Sequence, residues 1–215
     1  MTYLDIVNNV LRRLREDTVT TVTNDTYSTM VGDFVNDAKQ IVENAWDWSN
    51  LRSTLTLTTA ADDYTYSLTG YQDQGKILNI VNDTSNLVME YRPQTWFDDK
   101  FLVNTPTSGA PQYYTFSGID GSGDAQIDVY PKPDGVYSIK VKSVIRNVAL
   151  SGDDDVLAIP SQPVIHLAVA LLARERGETG GTSTAEYFSI ADKFLSDAIA
   201  IDAAKHPEEM VFRTI

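Results

Sequence analysis

The spacing of apolar residues changes twice along this chain, and this change restricts the possible folds more than any other feature. Apolar residues recur every three or four positions from Tyr3 to Trp48, at alternate positions from Leu55 to about residue 146, and every three or four positions again from Val164 to Ile201. The first spacing is typical of amphipathic helices and the second of half-buried strands. The sequence therefore predicts an α+β fold with strands inserted between two helical segments.

Two helices are predicted at each end of the chain. The first pair begins at Thr2 and at about Asp25, and the second pair begins near Pro160 and at Ser183. The run Val164 to Ala173 is apolar almost all round, which predicts that the third helix is the buried one. Each pair has an apolar face that it cannot cover alone, so we expect the two pairs to pack as one antiparallel helical bundle. The predicted bundle comprises residues 1–52 and 156–206.

Residues 53–155 predict an inserted lobe of antiparallel strands, either a sandwich or a barrel. Gly, Asn, Asp and Pro residues separate the strand candidates, as turns require. A short helix is predicted within the lobe at 93–101. The strand candidates are the runs around Leu55 and Tyr66, followed by 76–81, 87–92, 111–116, 125–130 and 136–146.

One alternating stretch of the lobe, IDVYPKPDGVYSIKV, begins at Ile127. Apolar and polar residues alternate on both sides of Pro131-Lys132-Pro133-Asp134-Gly135. This pattern predicts two strands joined by a stiff turn, which is a β-hairpin.

The charge of the chain is strongly negative. Seventeen Lys and Arg against thirty Asp and Glu give a net charge of −13. Proteins that wrap the outside of a nucleic acid gain affinity by neutralising phosphates, so this balance argues against such a role. It leaves open a protein that surrounds DNA without gripping it, and an acidic surface that serves solubility alone.

The chain has no cysteine, which excludes disulfides, thiolate zinc sites and cysteine nucleophiles. Its start, MTYLDIVNNVLRRL, lacks the basic-then-apolar pattern of a signal peptide. The most apolar run, Val164 to Ala173, is far shorter than the roughly 20 residues that cross a bilayer. These features predict a soluble protein without membrane contact.

The histidines and one acidic loop do not predict a catalytic, cofactor-binding or metal-binding site. His166 lies in the apolar helix and His206 at the end of the last helix, where packing or a favourable helix dipole explains each. The loop that begins at Asp120 alternates oxygen-bearing side chains as calcium loops do. Ala125 stands where such a loop needs glycine, however, and Pro131 stands where it needs glutamate.

Several adjacent aspartates could include the two carboxylates of a glycosidase. Adjacent aspartates are more often solvated loop charges, and nothing in the sequence indicates that one of them is buried. They are Asp62-Asp63, Asp98-Asp99 and Asp153-Asp154-Asp155.

Aromatic residues allow a further alternative. Tyr113, Tyr114 and Phe116 lie on one predicted strand, and Trp46 and Trp48 close the second helix. Core packing and cross-strand pairing are the favoured explanation for these residues. A sugar-stacking platform is the alternative.

The chain ends in EEMVFRTI, beyond a helix-stopping Pro207. The apolar residues of this tail are too few to form a core alone. The tail is therefore a frayed end, a segment folded onto its own domain, or an arm that adds to a partner by strand pairing or pocket filling. The anchors of such an arm are the apolar Met210, Val211, Phe212 and Ile215 and the polar Arg213.

In their order, these parts resemble the head-to-tail adaptor proteins of tailed bacteriophages, also called tail tubular protein A or head completion proteins in short-tailed phages. The resemblance spans nearly the whole chain. It rests on the opening TYLDIVNNVLRRL, on the second helix ending in WDWSNLRSTLTLTT, on IDVYPKPDGVYSIKV, and on DDDVLAIPSQPVIHLAVALLARERG followed by an amphipathic helix.

The resemblance implies a structural virion protein and not an enzyme. Copies form a ring, typically of twelve, beneath the portal protein, where the ring extends the DNA channel and carries the next tail component, a nozzle or tail tube protein. The helical part packs around the channel, and the β lobe contacts the tail or neighbouring copies. Residues 207–215 become an arm that docks into the portal protein.

By the same resemblance, the turn becomes a rigid contact element, because prolines reduce the entropy lost when a contact forms. Its residues are Pro131, Lys132, Pro133 and Asp134.

The resemblance also implies a location in the neck of the virion after synthesis in the host bacterial cytoplasm, and no cofactor. Acidic residues lining the channel would repel phosphates, so that DNA passes without sequence-specific binding. Two alternatives stay open. One is a carbohydrate-binding or carbohydrate-cleaving phage tail protein, and the other is a different neck component such as a stopper or terminator.

Overall fold

The computed structural model describes residues 1–71, 75–177 and 182–206 of the 215. The fold is mixed α+β and divides into two compact units, the helical unit (Met1–Leu51 with the chain from Asn147 onward) and the β unit (Arg52–Arg146). The helices are α1 (Tyr3–Arg13), α2 (Thr26–Ala45), α3 (Gln94–Asp98), α4 (Ser161–Glu175) and α5 (Thr182–Ala203). The strands are β1 (Arg52–Thr58), β2 (Thr65–Ser67), β3 (Lys76–Asn82), β4 (Leu87–Val88), β5 (Glu90–Tyr91), β6 (Tyr113–Ile119), β7 (Ala125–Tyr130) and β8 (Ser138–Val144).

Helix α4 is the central element of the helical unit. It contacts α1, α2 and α5. Its buried residues occur on all sides of the helix, and Val164, Ile165, Ala168 and Leu172 are among them. The prediction that this helix is buried is confirmed, because a helix that is apolar all round is stable only when other elements cover it.

Side-chain caps determine where the first two helices begin. The Thr2 hydroxyl accepts a hydrogen bond from the Asp5 backbone N–H, and the Asp5 carboxylate accepts one from the Thr2 N–H, both at 3.2 Å. The Asp25 carboxylate accepts a hydrogen bond from the Ser28 N–H at 2.7 Å. Helix α2 ends at Ala45, earlier than predicted, because Trp46 has an extended backbone.

The segment between β8 and α4 belongs to the helical unit. The sequence pattern predicts instead that residues 147–155 are part of the β lobe. The Tyr3 N–H donates to the Asp155 carbonyl at 2.8 Å. Asn36 donates from Nδ2 to the Leu150 carbonyl at 3.0 Å and accepts at Oδ1 from the Leu150 N–H at 2.8 Å. A segment without regular secondary structure can thus be held by the ends and side chains of helices.

Gly32 permits the close approach of α2 to Tyr3 and Val22. A Cβ at this position would lie 2.8 Å from Val22 Cγ1 and closer still to the Tyr3 hydroxyl. Both neighbours are buried. Burial, with the charges of Asp33 and Asp153, raises the pKa of Tyr3 to about 12, so its hydroxyl stays neutral at ordinary pH.

We expect Gly32→Ala to lower the free energy of unfolding by about 1–2 kcal/mol. The substitution gains about 1 kcal/mol of helix propensity, but contacts this short put the cost of overpacking at about 2–3 kcal/mol, the upper part of its usual range. Denaturation with urea measures the change, with the exposed Gln40→Ala on the same helix as the control. A Gly32→Ala chain as stable as the wild type would contradict this close packing.

The β unit contains two four-stranded sheets, with strand orders β1-β8-β3-β4 and β2-β7-β6-β5. The pairs are antiparallel except β5 with β6, which are parallel. Buried side chains from both sheets, among them Tyr66, Ile80, Ile127 and Val141, form one hydrophobic core. The described strands do not close into a barrel, and the prediction of purely antiparallel pairing is wrong at the β5–β6 pair.

The strands on either side of Pro131-Lys132-Pro133-Asp134 do not pair with each other. Strand β7 pairs with β2 and β6, whereas β8 pairs with β1 and β3. The hairpin prediction is therefore wrong, and the segment from Pro131 to Tyr137 crosses from one sheet to the other. Alternation indicates that a stretch is a strand with one buried face, but the choice of partner strand depends on how the two sheets bury those faces.

Candidate interaction surfaces

Thr59 fixes the crossing segment, Pro131–Tyr137, from one side. The Thr59 hydroxyl accepts a hydrogen bond from the Tyr137 N–H at 2.9 Å and donates one to the Gly135 carbonyl at 3.0 Å. The Asp62 N–H donates to the Pro133 carbonyl at 2.9 Å. Thr59 is only 2% exposed, so these bonds are shielded from water.

A second loop fixes the crossing segment from its other side. The Lys132 N–H donates to the Thr107 carbonyl at 3.0 Å, and the Gly109 N–H donates to the Lys132 carbonyl at 2.9 Å. The Lys132 ammonium group also lies 3.2 Å from an Asp62 carboxylate oxygen. The segment is therefore held rigid by hydrogen bonds as well as by its prolines.

The exposed part of the crossing segment is smaller than the sequence predicted. Pro133 is buried, while Pro131 and Lys132 are half-buried. Asp134 is exposed and accepts a hydrogen bond from the Tyr137 hydroxyl at 2.5 Å. Val136, which was not among the predicted contact residues, is 71% exposed. A partner could therefore reach Asp134 and Val136 most directly.

We expect Thr59→Val to lower the free energy of unfolding by about 2–3 kcal/mol. Valine has a similar shape but leaves the Tyr137 N–H and the Gly135 carbonyl without their partner, and each buried unsatisfied group costs about 1–3 kcal/mol. Thermal unfolding followed by circular dichroism measures the loss. Thr58→Val, at an exposed position one residue earlier, is the matched control and should change stability by less than about 0.5 kcal/mol.

The two tyrosines of the possible sugar platform do not face the same side. Tyr113 packs against Trp96 with ring centroids 5.1 Å apart, whereas Tyr114 meets the edge of Tyr91 at 5.8 Å. Neighbouring residues of a strand point to opposite faces of the sheet, so Tyr113 and Tyr114 cannot form one stacking surface. Both are half-buried in aromatic packing.

Two of the aspartates considered for catalysis, Asp153 and Asp155, bind backbone groups. One Asp155 carboxylate oxygen accepts hydrogen bonds from the Ser151 and Gly152 N–H groups, each at 2.8 Å, and these bonds lower the pKa of Asp155. Asp153 accepts one from the Val22 N–H at 2.9 Å.

The loop at Asp120 is organised in the same way. Its carboxylate accepts hydrogen bonds from Ser122 and Asp124 N–H groups at 2.8 and 3.0 Å, and these bonds contribute to lowering the pKa of Asp120. Over residues 1–71, 75–177 and 182–206, no three His, Asp or Glu side chains are placed to hold a metal ion.

Both histidines make structural contacts. The His166 ring stacks on Phe194 of α5, with centroids 4.3 Å apart and the planes within 9°. Burial, together with the positive charge of Arg13, lowers the pKa of His166. A His206 ring nitrogen lies 2.9 Å from the Ser49 hydroxyl, which attaches the end of α5 to the residues after α2.

The sequence did not predict how much of the last apolar stripe stays uncovered. Ala191 of α5 is buried and Leu195 is half-buried, but a neighbouring strip of the same helix is exposed. Residues at successive helical turns share a face, yet spacing alone does not show how wide a face the rest of the protein covers. The exposed members are Tyr187, Ile190, Phe194 and Ile201.

The predicted docking arm, with Met210, Val211, Phe212, Arg213 and Ile215, lies outside the described residues. Its role therefore stays a prediction. Among the helices that the structure describes, none is long and apolar enough to span a membrane.

Comparison with known protein families gives a match that covers almost the whole chain. The family model described as SU10 adaptor protein matches residues 1–209. No curated protein that was compared matches the chain. Because the family match spans all but the last six of 215 residues, the chain belongs to the SU10 adaptor protein family, a family of bacteriophage structural adaptors.

Proposed function

We propose that this adaptor forms a ring beneath the portal, extends the DNA channel and provides the platform on which the next tail component assembles. The observation that carries the proposal is the family match over residues 1–209. Because this match includes both units, it favours a role for the whole chain. We further propose that the helix pairs act as one antiparallel bundle and that the two sheets pack as a sandwich.

The distribution of charge supports a channel lined by the helical unit. The β unit carries eight Lys and Arg against eleven Asp and Glu, a net charge of −3. The rest of the chain therefore carries −10 of the total −13. Acidic walls repel phosphates, which lets DNA pass without being held. The helical unit is the better candidate for the channel wall.

The tail and the crossing segment would serve two different partners. The tail offers Met210, Val211, Phe212 and Ile215 as apolar anchors and Arg213 as a polar anchor for the portal protein. The crossing segment presents Asp134 and Val136 on a backbone held from two sides. A preorganised segment loses little entropy on binding, which suits a contact with a nozzle or tail tube protein or with a neighbouring copy.

The direct test mixes the purified chain with the portal ring of its own phage and measures the mass of any complex by native mass spectrometry. We expect a discrete complex of one portal ring with a fixed number of adaptor copies. No association at any salt concentration would overturn the portal role. Glycan arrays would then test sugar binding, which would have to use a surface other than a joint Tyr113–Tyr114 platform because the two rings face opposite sides of the sheet.

A further inference from the structure

Helix α5 exposes a strip of apolar side chains, whereas the exposed side of a solvated helix is usually polar. Tyr187, Ile190, Phe194 and Ile201 follow each other at helical spacing, and Ile201 is 69% exposed. Beside them lies a cleft of about 390 Å³ between α5 and the start of α4, lined by Pro160, Pro163, Phe194, Ala198 and Ile201 among others. Contiguous exposed apolar surface of this kind marks an interaction site.

Exposed arginines lie at the end of α1, a helix that packs against α4 as α5 does. Arg12, Arg13 and Arg15 at the end of α1 are exposed, and among the described residues none of them lies within ion-pair distance of a carboxylate, although the charge of Arg12 contributes to lowering the pKa of Asp5. His166 connects the two surfaces, because its ring stacks on Phe194 and it is close enough to Arg13 to feel that charge. Together they form a basic–apolar face, within a helical unit that is strongly negative. Its members are Arg12, Arg13, Arg15, Ile190 and Phe194.

Helix α2 presents the opposite chemistry. Asp33 and Asp37 are exposed and lie four residues apart, so they share one face of the helix. Ile41, a further four residues along and 49% exposed, continues that face. The single Lys or Arg of this helix, Lys39, is buried and paired with Glu43, so it does not neutralise the two aspartates. The acidic face, made of Asp33, Asp37 and Ile41, therefore complements a basic and apolar surface.

We propose that the basic–apolar face of one copy binds the acidic face of a second copy. The proposal rests on the ring proposed above and names the surfaces by which copies join. The two faces differ, so each copy offers one of each. Such a head-to-tail contact repeats from copy to copy and closes into a ring when the rotation between copies allows it.

Electrostatic complementarity is the reason to expect a second copy of this chain on the basic–apolar face. Opposite charges across an interface increase the rate of encounter and determine its register, and like charges placed together are strongly unfavourable. The −10 charge carried outside the β unit would otherwise oppose the approach of its copies. At the proposed contact, the arginines of one copy meet the aspartates of the next, so repulsion is replaced by attraction. This attraction orients neighbouring copies.

Charge reversal tests the contact in the full-length chain. Arg12→Glu with Arg13→Glu, and separately Asp33→Lys with Asp37→Lys, should each weaken self-association by roughly tenfold or more in sedimentation at low salt. An equal mixture of the two variants should recover association, because copies that alternate in it pair opposite charges at every interface. Failure of the mixture to recover would overturn the proposal. So would a wild-type chain that stays monomeric up to about 1 mM, because its association would then be weaker than about 4 kcal/mol.

The apolar strip has its own matched pair of variants. Ile190→Asp should weaken self-association as strongly as a charge reversal, whereas Ser189→Asp, exposed on the same helix one residue away, should leave it unchanged. Equal effects of the two would contradict a contact through the strip. Far-ultraviolet circular dichroism and the melting temperature establish that each variant is folded.

Two further measurements distinguish this contact from self-association through the tail and from failure of the portal role. A chain ending at Pro207 should self-associate as the wild type does, and loss of self-association on truncation would show that the tail is the occupant instead. Portal binding by the wild type is measured in parallel. If portal binding persists while charge reversal has no effect on self-association, the proposed contact is wrong and the adaptor role stands. If the mixture recovers self-association but nothing binds the portal, the contact stands and the portal role fails.

Discussion

A chain that ends at Pro207 should bind the portal ring at least about 100-fold more weakly than the full-length chain. The removed segment carries the four apolar anchors Met210, Val211, Phe212 and Ile215. Burying each such side chain contributes about 1.5–3 kcal/mol, and the loss of two of them already corresponds to about 3 kcal/mol, or roughly 100-fold in affinity. The amount of adaptor that sediments with the portal measures the effect.

The truncated chain should remain folded, because contacts within the described residues hold the end of α5. The Asp202 carboxylate accepts hydrogen bonds from the Ser49 N–H at 2.9 Å and from Trp46 Nε1 at 3.2 Å. Burial raises the pKa of this carboxyl group, but hydrogen bonds from Ser49 and Lys205 outweigh burial and lower it. An unchanged melting temperature is therefore expected.

Point variants of the tail provide the controls for truncation. Phe212→Ala should reduce portal binding, whereas Thr214→Ala, two residues later, should not. Full portal binding by the truncated chain would contradict the docking arm, and it would leave membership of the adaptor family untouched.

The second large effect concerns stability. Trp48→Ala should lower the free energy of unfolding by about 3–5 kcal/mol, the range for removing a buried aromatic side chain. Trp48 is 1% exposed, and its Nε1 donates a hydrogen bond to the Val42 carbonyl at 2.8 Å. Its removal leaves a large cavity as well as an unpaired carbonyl. Denaturation with urea gives the difference.

Trp46→Ala is the matched control, two residues away and of the same type. Trp46 is 37% exposed, and its Nε1 donates a partly buried hydrogen bond to the Asp202 carboxylate at 3.2 Å. We expect a loss of about 1 kcal/mol, the typical net contribution of one hydrogen bond. Similar losses for both variants would mean that the two indoles are buried to a similar extent, contrary to the structure.

The sequence did not show that Trp48 is buried and Trp46 exposed. Both lie at the end of the second predicted helix, and their spacing did not separate a core residue from a surface one. The helix ends at Ala45, and the extended backbone at Trp46 directs the two indoles to different environments. Because no Gly or Pro stands at this end of the helix, the sequence gives little signal of where it stops.

The candidate interaction surfaces were also only partly predictable from the sequence. The charge imbalance and the order of helices and strands were predictable, because each depends on composition or on local spacing. The uncovered apolar strip of α5 and the stacking of its Phe194 on His166 were not, because they depend on how α5 packs against α4. The buried Lys39–Glu43 pair, 3.1 Å apart within α2, likewise looks like an ordinary surface pair four residues apart in the sequence.

The helices and strands of this protein follow largely from local patterns in its sequence. Hydrophobic spacing and the caps at Thr2 and Asp25 act over a few residues, so these elements and their order can be predicted from neighbours along the chain. The placement of β7 and β8 in different sheets, and of residues 147–155 with the helices, becomes visible only in the folded chain. Those choices depend on burying the faces of distant segments against each other, and no local pattern records which distant segment is the partner.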